Sequence, residues 1–175
     1  MLKTILLVLA VLIAGVLMFA ATRPDTFAVQ RSAVINAPPE KIFPLIDDFK
    51  SWGAWSPYEK LDPAMQRTFS EPARGVGATY AWSSDGDAGA GSMKITETVV
   101  PTKVALDLDF IRPMATSNKV EFTLQPGAAG TQVTWALRGP VPYVAKIMHL
   151  FFNMDKMIGG DFEKGLADLK AAAEK

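Results

Sequence analysis

Apolar and polar positions along the 175-residue chain change period four times, and each period predicts a different element. The first stretch is uniformly apolar. No charged residue lies between Thr4 and Thr22, and Ile5 to Ala21 is apolar throughout, counting Gly15. As a helix, this stretch reaches about 28 Å at ~1.5 Å per residue, close to the ~30 Å hydrocarbon core of a bilayer. Phe27 to Ile35 then reads as a strand, closed by Asn36-Ala-Pro-Pro39. Pro38 or Pro39 suits the first turn of a helix. In that helix Ile42, Phe43, Leu45, Ile46 and Phe49 share one face, with Asp47, Asp48 and Lys50 opposite. Pro44 predicts a kink or a late start. Ser51 to Tyr58 is an aromatic turn interrupted by Gly53 and Pro57.

The third stretch has period two. After a weak strand at Met65–Ser70, apolar residues alternate with small or polar ones in five segments. They are Val76, Ala78, Tyr80, Trp82; then Met93, Ile95, Val99; then Val104, Leu106, Leu108, Phe110; then Val120, Phe122, Leu124; then Val133, Trp135, Leu137. Ser84-Asp-Gly-Asp87, Pro101-Thr102 and Pro126 to Gly130 separate them as turns. Such alternation predicts an antiparallel sheet with one buried face. After Gly139-Pro-Val-Pro142 the period becomes helical. Met154, Ile158, Phe162, Leu166, Leu169 and Ala173 form one stripe, and only the sheet face is large enough to receive it. The fold class is therefore α+β: an N-terminal transmembrane helix, then a curved antiparallel sheet wrapped on a long C-terminal helix. The division is an anchor at 1–22 and one domain at 27–175.

Composition narrows the functions. Eighteen Lys+Arg balance eighteen Asp+Glu, which disfavours a nucleic-acid partner. With no Cys there is no disulfide, Cys-ligated metal or Cys nucleophile, and a single His excludes a two-His site. No Gly-rich phosphate loop, G-x-S-x-G or metal-ligand cluster is present, so no cofactor or metal is expected. A mean hydropathy of +0.16 traces mainly to the first 22 residues, whose one charge is Lys3. A signal peptide is the alternative to an anchor. Its apolar core would be about 7–15 residues long, with small residues at the cleavage site. Here the run is longer, and cuts after Ala20 or Ala21 place Met18 or Phe19 at the first small position. Lys3 on one side and Arg23 and Arg31 on the other do not fix the orientation by positive charge. Anchors of this type act as export signals, which places the domain outside the cytoplasm.

The chain resembles the START-like, or SRPBCC, helix-grip superfamily, in particular its bacterial polyketide cyclase/dehydrase-like members. The residues that carry the resemblance are Val34-Ile-Asn-Ala-Pro-Pro-Glu-Lys-Ile-Phe43, Trp52-Gly-Ala-Trp-Ser-Pro57, Gly75 to Trp82, Gly91 to Glu97, Gly130 to Trp135 and Asp161 to Lys170. It runs over about 27–173. It implies an apolar cavity beneath the C-terminal helix but no single activity, because members include lipid carriers, aromatic cyclases and chaperone activators.

The inward phase nominates Tyr80, Trp82, Phe110, Phe122, Trp135, Met154, Met157 and Phe162 to line a ligand cavity. Gly159, Gly160 and Gly165 interrupt the long helix, where each costs about 0.8–1.0 kcal/mol relative to Ala, and so suggest clearance. Glu97 shares the phase of Met93 and Ile95, and Arg31 that of Phe27 and Val29, so an internal Glu97–Arg31 pair could hold a ligand head group. Asp107 and Asp109 face solvent. His149 is expected to be an interfacial or core residue. The apolar run Val144–Met154 reads as a buried connecting helix or as a gate resting on the bilayer through Phe151 and Phe152. Ligand exchange is expected there and near Trp52–Trp55. The first expectation is a membrane-anchored binder of a hydrophobic small molecule or lipid, without catalytic residues. The alternatives are a cyclase/dehydratase-like enzyme using Glu97, Tyr80 or Arg31, and a chaperone-activator-like interaction module.

Overall fold

In the computed structural model, which describes residues 1–148, 150 and 153–175, the period-two segments become seven strands. These are β1 (Thr26–Ile35), β2 (Gln66–Phe69), β3 (Thr79–Ser83), β4 (Ala90–Val99), β5 (Lys103–Arg112), β6 (Thr116–Gly127) and β7 (Gly130–Pro140). They form one antiparallel sheet in the order β1-β7-β6-β5-β4-β3-β2. The first strand therefore pairs with the last, from Thr26 opposite Pro140 to Ile35 opposite Thr131. The helices are α1 (Leu2–Ala21), α2 (Pro39–Asp47), α3 (Tyr143–Met148) and α4 (Met154–Ala173), with 3₁₀ turns at Phe49–Ala54 and Pro57–Lys60. α1 is long and apolar enough to cross a membrane by length and composition. The α+β sheet and long helix expected from the pattern are observed, and so is the helix-grip fold that the resemblance implies.

Pro39 stands in the first turn of α2, and Pro44 lies inside the helix. The carbonyls near the C-terminal end of α2 are capped by indoles. Trp52 Nε1 donates to Ile46 O at 2.9 Å, and Trp55 Nε1 to Leu45 O at 2.8 Å. Helix-end carbonyls lack intrahelical partners, so these bonds explain how both indole N–H groups are satisfied inside the buried core.

α4 runs in the same direction as β1 across the inner face: Arg31 meets its first turns at Asp155 and Glu163, and Val34 meets Lys170 near its end. Its C-terminal end is pinned where β1 finishes: Lys170 Nζ donates to Val34 O at 2.9 Å, and the Asn36 amide donates to Glu174 at 2.6 Å. In this closed half Phe162, Leu166, Leu169 and Ala173 are buried against Ile35, Ile42, Ile46, Val104, Leu124 and Val133. The open half lies at the other end, where β1 begins and β7 finishes.

Two local departures from strict alternation matter. A β-bulge between Ile95 and Glu97 puts Ile95 opposite Leu106 but Glu97 opposite Ala105. Glu97 and Val99 therefore move to the outer face. Val76 precedes β3, between Gly75 and Gly77, which both have positive φ, and it is exposed.

Candidate functional site

The inner face of the sheet and the first half of α4 enclose a cavity of about 430 Å³. Its sheet wall carries Phe27, Tyr80, Trp82, Met93, Leu108, Phe110, Val120, Trp135 and Leu137. Met154, Ile158 and Phe162 of α4 close it from above, and Pro142 and Ala145 close the end beside α3. The floor toward the closed half is an aromatic stack. Trp135 and Phe162 lie 4.0 Å apart, nearly parallel at 8°, and Trp135 also meets Trp55 and Phe122 at 5.5 Å and 5.0 Å.

Two glycines of α4 give clearance, Gly165 to the aromatic stack and Gly159 to Arg31. A Cβ on Gly165 would sit 2.7 Å from Trp135 Cζ3 and 3.0 Å from Pro57 Cδ. A Cβ on Gly159 would collide with the Arg31 guanidinium. Gly160 is different, because it is exposed with nothing within 4 Å. Gly91 gives similar clearance in the sheet, where a Cβ would lie 2.5 Å from the Trp82 ring.

Polar groups are few in this wall. Tyr80 Oη donates to Glu59 Oε1 at 2.5 Å, and Arg67 Nε donates to Glu59 Oε2 at 2.6 Å. Arg67 is held in turn by the carbonyls of Met65 and Glu59. Burial, and then the bond to Glu59, push the Tyr80 hydroxyl above the ordinary phenol range. Tyr58 is shifted the same way by burial and by nearby Asp161. Asn118 is the buried amide of the inner face. Its one side-chain bond among the described residues is long, 3.4 Å to Thr116. Ser56 Oγ and Trp135 Nε1 are buried without a protein partner among the described residues.

Of the ten residues nominated from the sequence, Tyr80, Trp82, Phe110, Trp135, Met154 and Phe162 meet around this one cavity. Phe122 lies deeper, fully buried in the core. Met157 is 59% exposed, on the outer side of α4. The internal Glu97–Arg31 pair does not form. The bulge turns Glu97 outward to Lys103 Nζ at 2.9 Å. Arg31 keeps its inward phase but is drawn to α4, bonding Asp155 at 3.0 Å and Glu163 at 2.8 Å. Asp107 pairs with Lys119 of the neighbouring strand, on the outer face. Glu59, Arg67, Tyr58 and Asn118 were not nominated. Glu59 sits in a 3₁₀ turn with no periodicity to reveal its direction. Asn118 lies two residues before Val120 in the inward phase, which is the signal that could have found it. His149, Phe151 and Phe152 lie outside the described residues.

The comparisons bear on the family and the fold. The sequence model of a family described as polyketide cyclase / dehydrase and lipid transport matches residues 26–174. No curated protein matches in sequence. Among solved structures, a protein from Chromobacterium violaceum is similar, with 17% identity and a TM-score of 0.59 over 87% of this chain and 99% of that one. The Aha1 dimer from Colwellia psychrerythraea shares 20% identity at a TM-score of 0.56, over 85% of this chain and 96% of that one. The di-domain ARO/CYC StfQ from the steffimycin biosynthetic pathway gives 0.62 at 8% identity, over 85% of this chain and 51% of that one. At these identities the likeness shows the fold.

Proposed function

The chain belongs to the polyketide cyclase/dehydrase and lipid transport family, and from that premise we propose that it is a membrane-anchored receptor for a hydrophobic small molecule or lipid. The observation that carries this reading is the cavity. Its ~430 Å³ falls within the roughly 300–1,000 Å³ of small-molecule sites, which are apolar with a few placed polar groups. The walls match that description. Aromatic and aliphatic side chains would supply burial at about 25 cal/mol per Å² of apolar surface. The Glu59–Arg67–Tyr80 cluster and Asn118 would orient a polar end of the ligand. On this reading α1 is an uncleaved anchor holding the domain outside the cytoplasm.

A cyclase-like reaction on an apolar substrate is the second reading. Glu59 and Tyr80 favour it, because they put an acid–base pair on the cavity wall at 2.5 Å. An interaction module with a filled core fits the cavity less well.

The test is solvent extraction and mass spectrometry of the full-length protein purified from membranes. One class of apolar molecule, retained near stoichiometry, is expected. A protein that carries nothing and binds no apolar probe would overturn the reading. For the second reading, conversion of a bound polyketide-like substrate by wild type but not by Glu59→Gln is the required result.

A further inference from the structure

The antiparallel order sends the chain ends and turns of the sheet to two opposite rims. β1 begins, β7 finishes, and the β5–β6 turn reverses at the same rim. This is also the cavity's rim, formed by Met114, Thr116, Pro140, Pro142 and Ala145. Only residues 22–25 separate α1 from β1. At ~3.6 Å per residue that link spans at most about 18 Å, so a membrane-spanning α1 keeps this rim close to the bilayer.

A closer constraint comes from α3. Tyr143 Oη donates to the carbonyl of Leu17 at 2.6 Å. Leu17 lies four residues before the end of α1, about 6 Å down its axis at 1.5 Å per residue. Lys146 Nζ bonds Asp25 at 2.5 Å, and the Val141 amide bonds the Asp25 carbonyl at 2.7 Å. α3 is thus fastened to both the last turn of α1 and its exit. Any bilayer that α1 crosses meets α3 at its interface, the depth at which tyrosine is enriched. The outward side of α3 suits that depth: Val144 is 63% and Met148 50% exposed. Ile111 at the end of β5 and Met114 in the β5–β6 turn extend the same apolar rim, at 64% and 44%.

We propose that α3 and the β5–β6 turn form a surface that docks on the lipid bilayer, so that the cavity's α3 wall lies against the leaflet. The proposal rests on the anchor reading of α1 and goes beyond it, because an anchored domain could equally float clear of the membrane. It commits to a lipid surface as the partner, with Tyr143, Val144, Met148, Ile111 and Met114 as contacts. Lys146 and Asp25 hold the surface in place.

The absence of Cys makes the test direct. Single-Cys variants Val8→Cys, Met114→Cys, Val144→Cys and Val99→Cys of the full chain are spin-labelled in vesicles of phosphatidylcholine and phosphatidylglycerol. Collision with oxygen and with a water-soluble nickel chelate is then measured. Val99 is exposed at the opposite rim. The expected result is an oxygen-to-nickel accessibility ratio several-fold higher at positions 8, 114 and 144 than at 99. A label at 8 in lipid with labels at 114 and 144 as aqueous as 99 would overturn docking and leave the anchor standing. A label at 8 in water would overturn the anchor, and docking with it.

Discussion

The rings of Trp135 and Phe162 stack at 4.0 Å, and this pair is the boundary between the filled half of the domain and its cavity. Below it, Leu166, Leu169 and Ala173 pack onto strand residues with almost no exposed surface. Above it, the same α4 stripe continues as Ile158 and Met154, which face the cavity.

The stack depends on Gly165. Gly165→Ala should destabilise by about 1–3 kcal/mol, the usual cost of overpacking, because the new Cβ meets a wedged indole and a proline ring. Gly160→Ala should instead stabilise by roughly 0.8–1.0 kcal/mol through helix propensity. Urea unfolding of the two variants decides it. Equal effects would mean that the helix glycines reflect backbone preference alone.

Glu59 should matter where Glu97 does not. Glu59→Ala leaves the Tyr80 hydroxyl and Arg67 Nε without their acceptor, while the backbone carbonyls of Met65 and residue 59 still hold the rest of the guanidinium. A loss of roughly 1–3 kcal/mol is expected for such half-removed bonds. Glu97→Ala removes an exposed ion pair and should stay within about 0.5 kcal/mol. Thermal unfolding and probe affinity of both variants check this. The reverse order would restore the inward reading of Glu97.

Asp47 should oppose stability at neutral pH. Burial, and then the neighbouring Asp48 charge, raise its carboxyl above the ordinary 3.8, and its Oδ1 has no partner among the described residues. The folded state therefore favours the protonated form, and the penalty on the ionised form operates at pH values above the raised folded value. It disappears below about 3.8. Asp47→Asn should raise the melting temperature at pH 7 and lose that advantage near pH 3. An advantage that grows with acid would contradict the assignment.

The Arg31 pair with Asp155 has the opposite sign. The bond from Arg31 holds the Asp155 carboxyl below its ordinary value. Its contribution is present above pH 3.8 and is lost as pH falls through the lowered folded value. Arg31→Gln should flatten that acid limb without changing the affinity for an apolar probe, because Arg31 is not a cavity residue. A weakened affinity would return Arg31 to the binding site.

The alternation of β5, β6 and β7 was readable because each strand buries one face, so period two survives along their length. The helix stripe was readable for the same reason. Glu97 was misplaced because one extra residue at a bulge reverses every later side chain, and nothing in residue type announces it. Val76 was drawn into a strand by its spacing, although the flanking positive-φ glycines keep it in a turn. Glu59 escaped because its direction is set by the turn between Pro57 and Lys60 and by Arg67 from β2, a contact across the fold.

The most direct measurement is a fluorescence titration of the full-length protein with a dansylated undecanoic acid, in wild type and in two cavity-filling variants. Leu108→Trp fills the sheet wall, and Ala145→Phe fills the α3 wall. The cavity account predicts saturable one-to-one binding to wild type, weakened at least about tenfold (roughly 1.4 kcal/mol) in whichever filled variant keeps the wild-type melting curve. Undiminished binding to folded, filled protein, or no saturable binding to wild type, would contradict it.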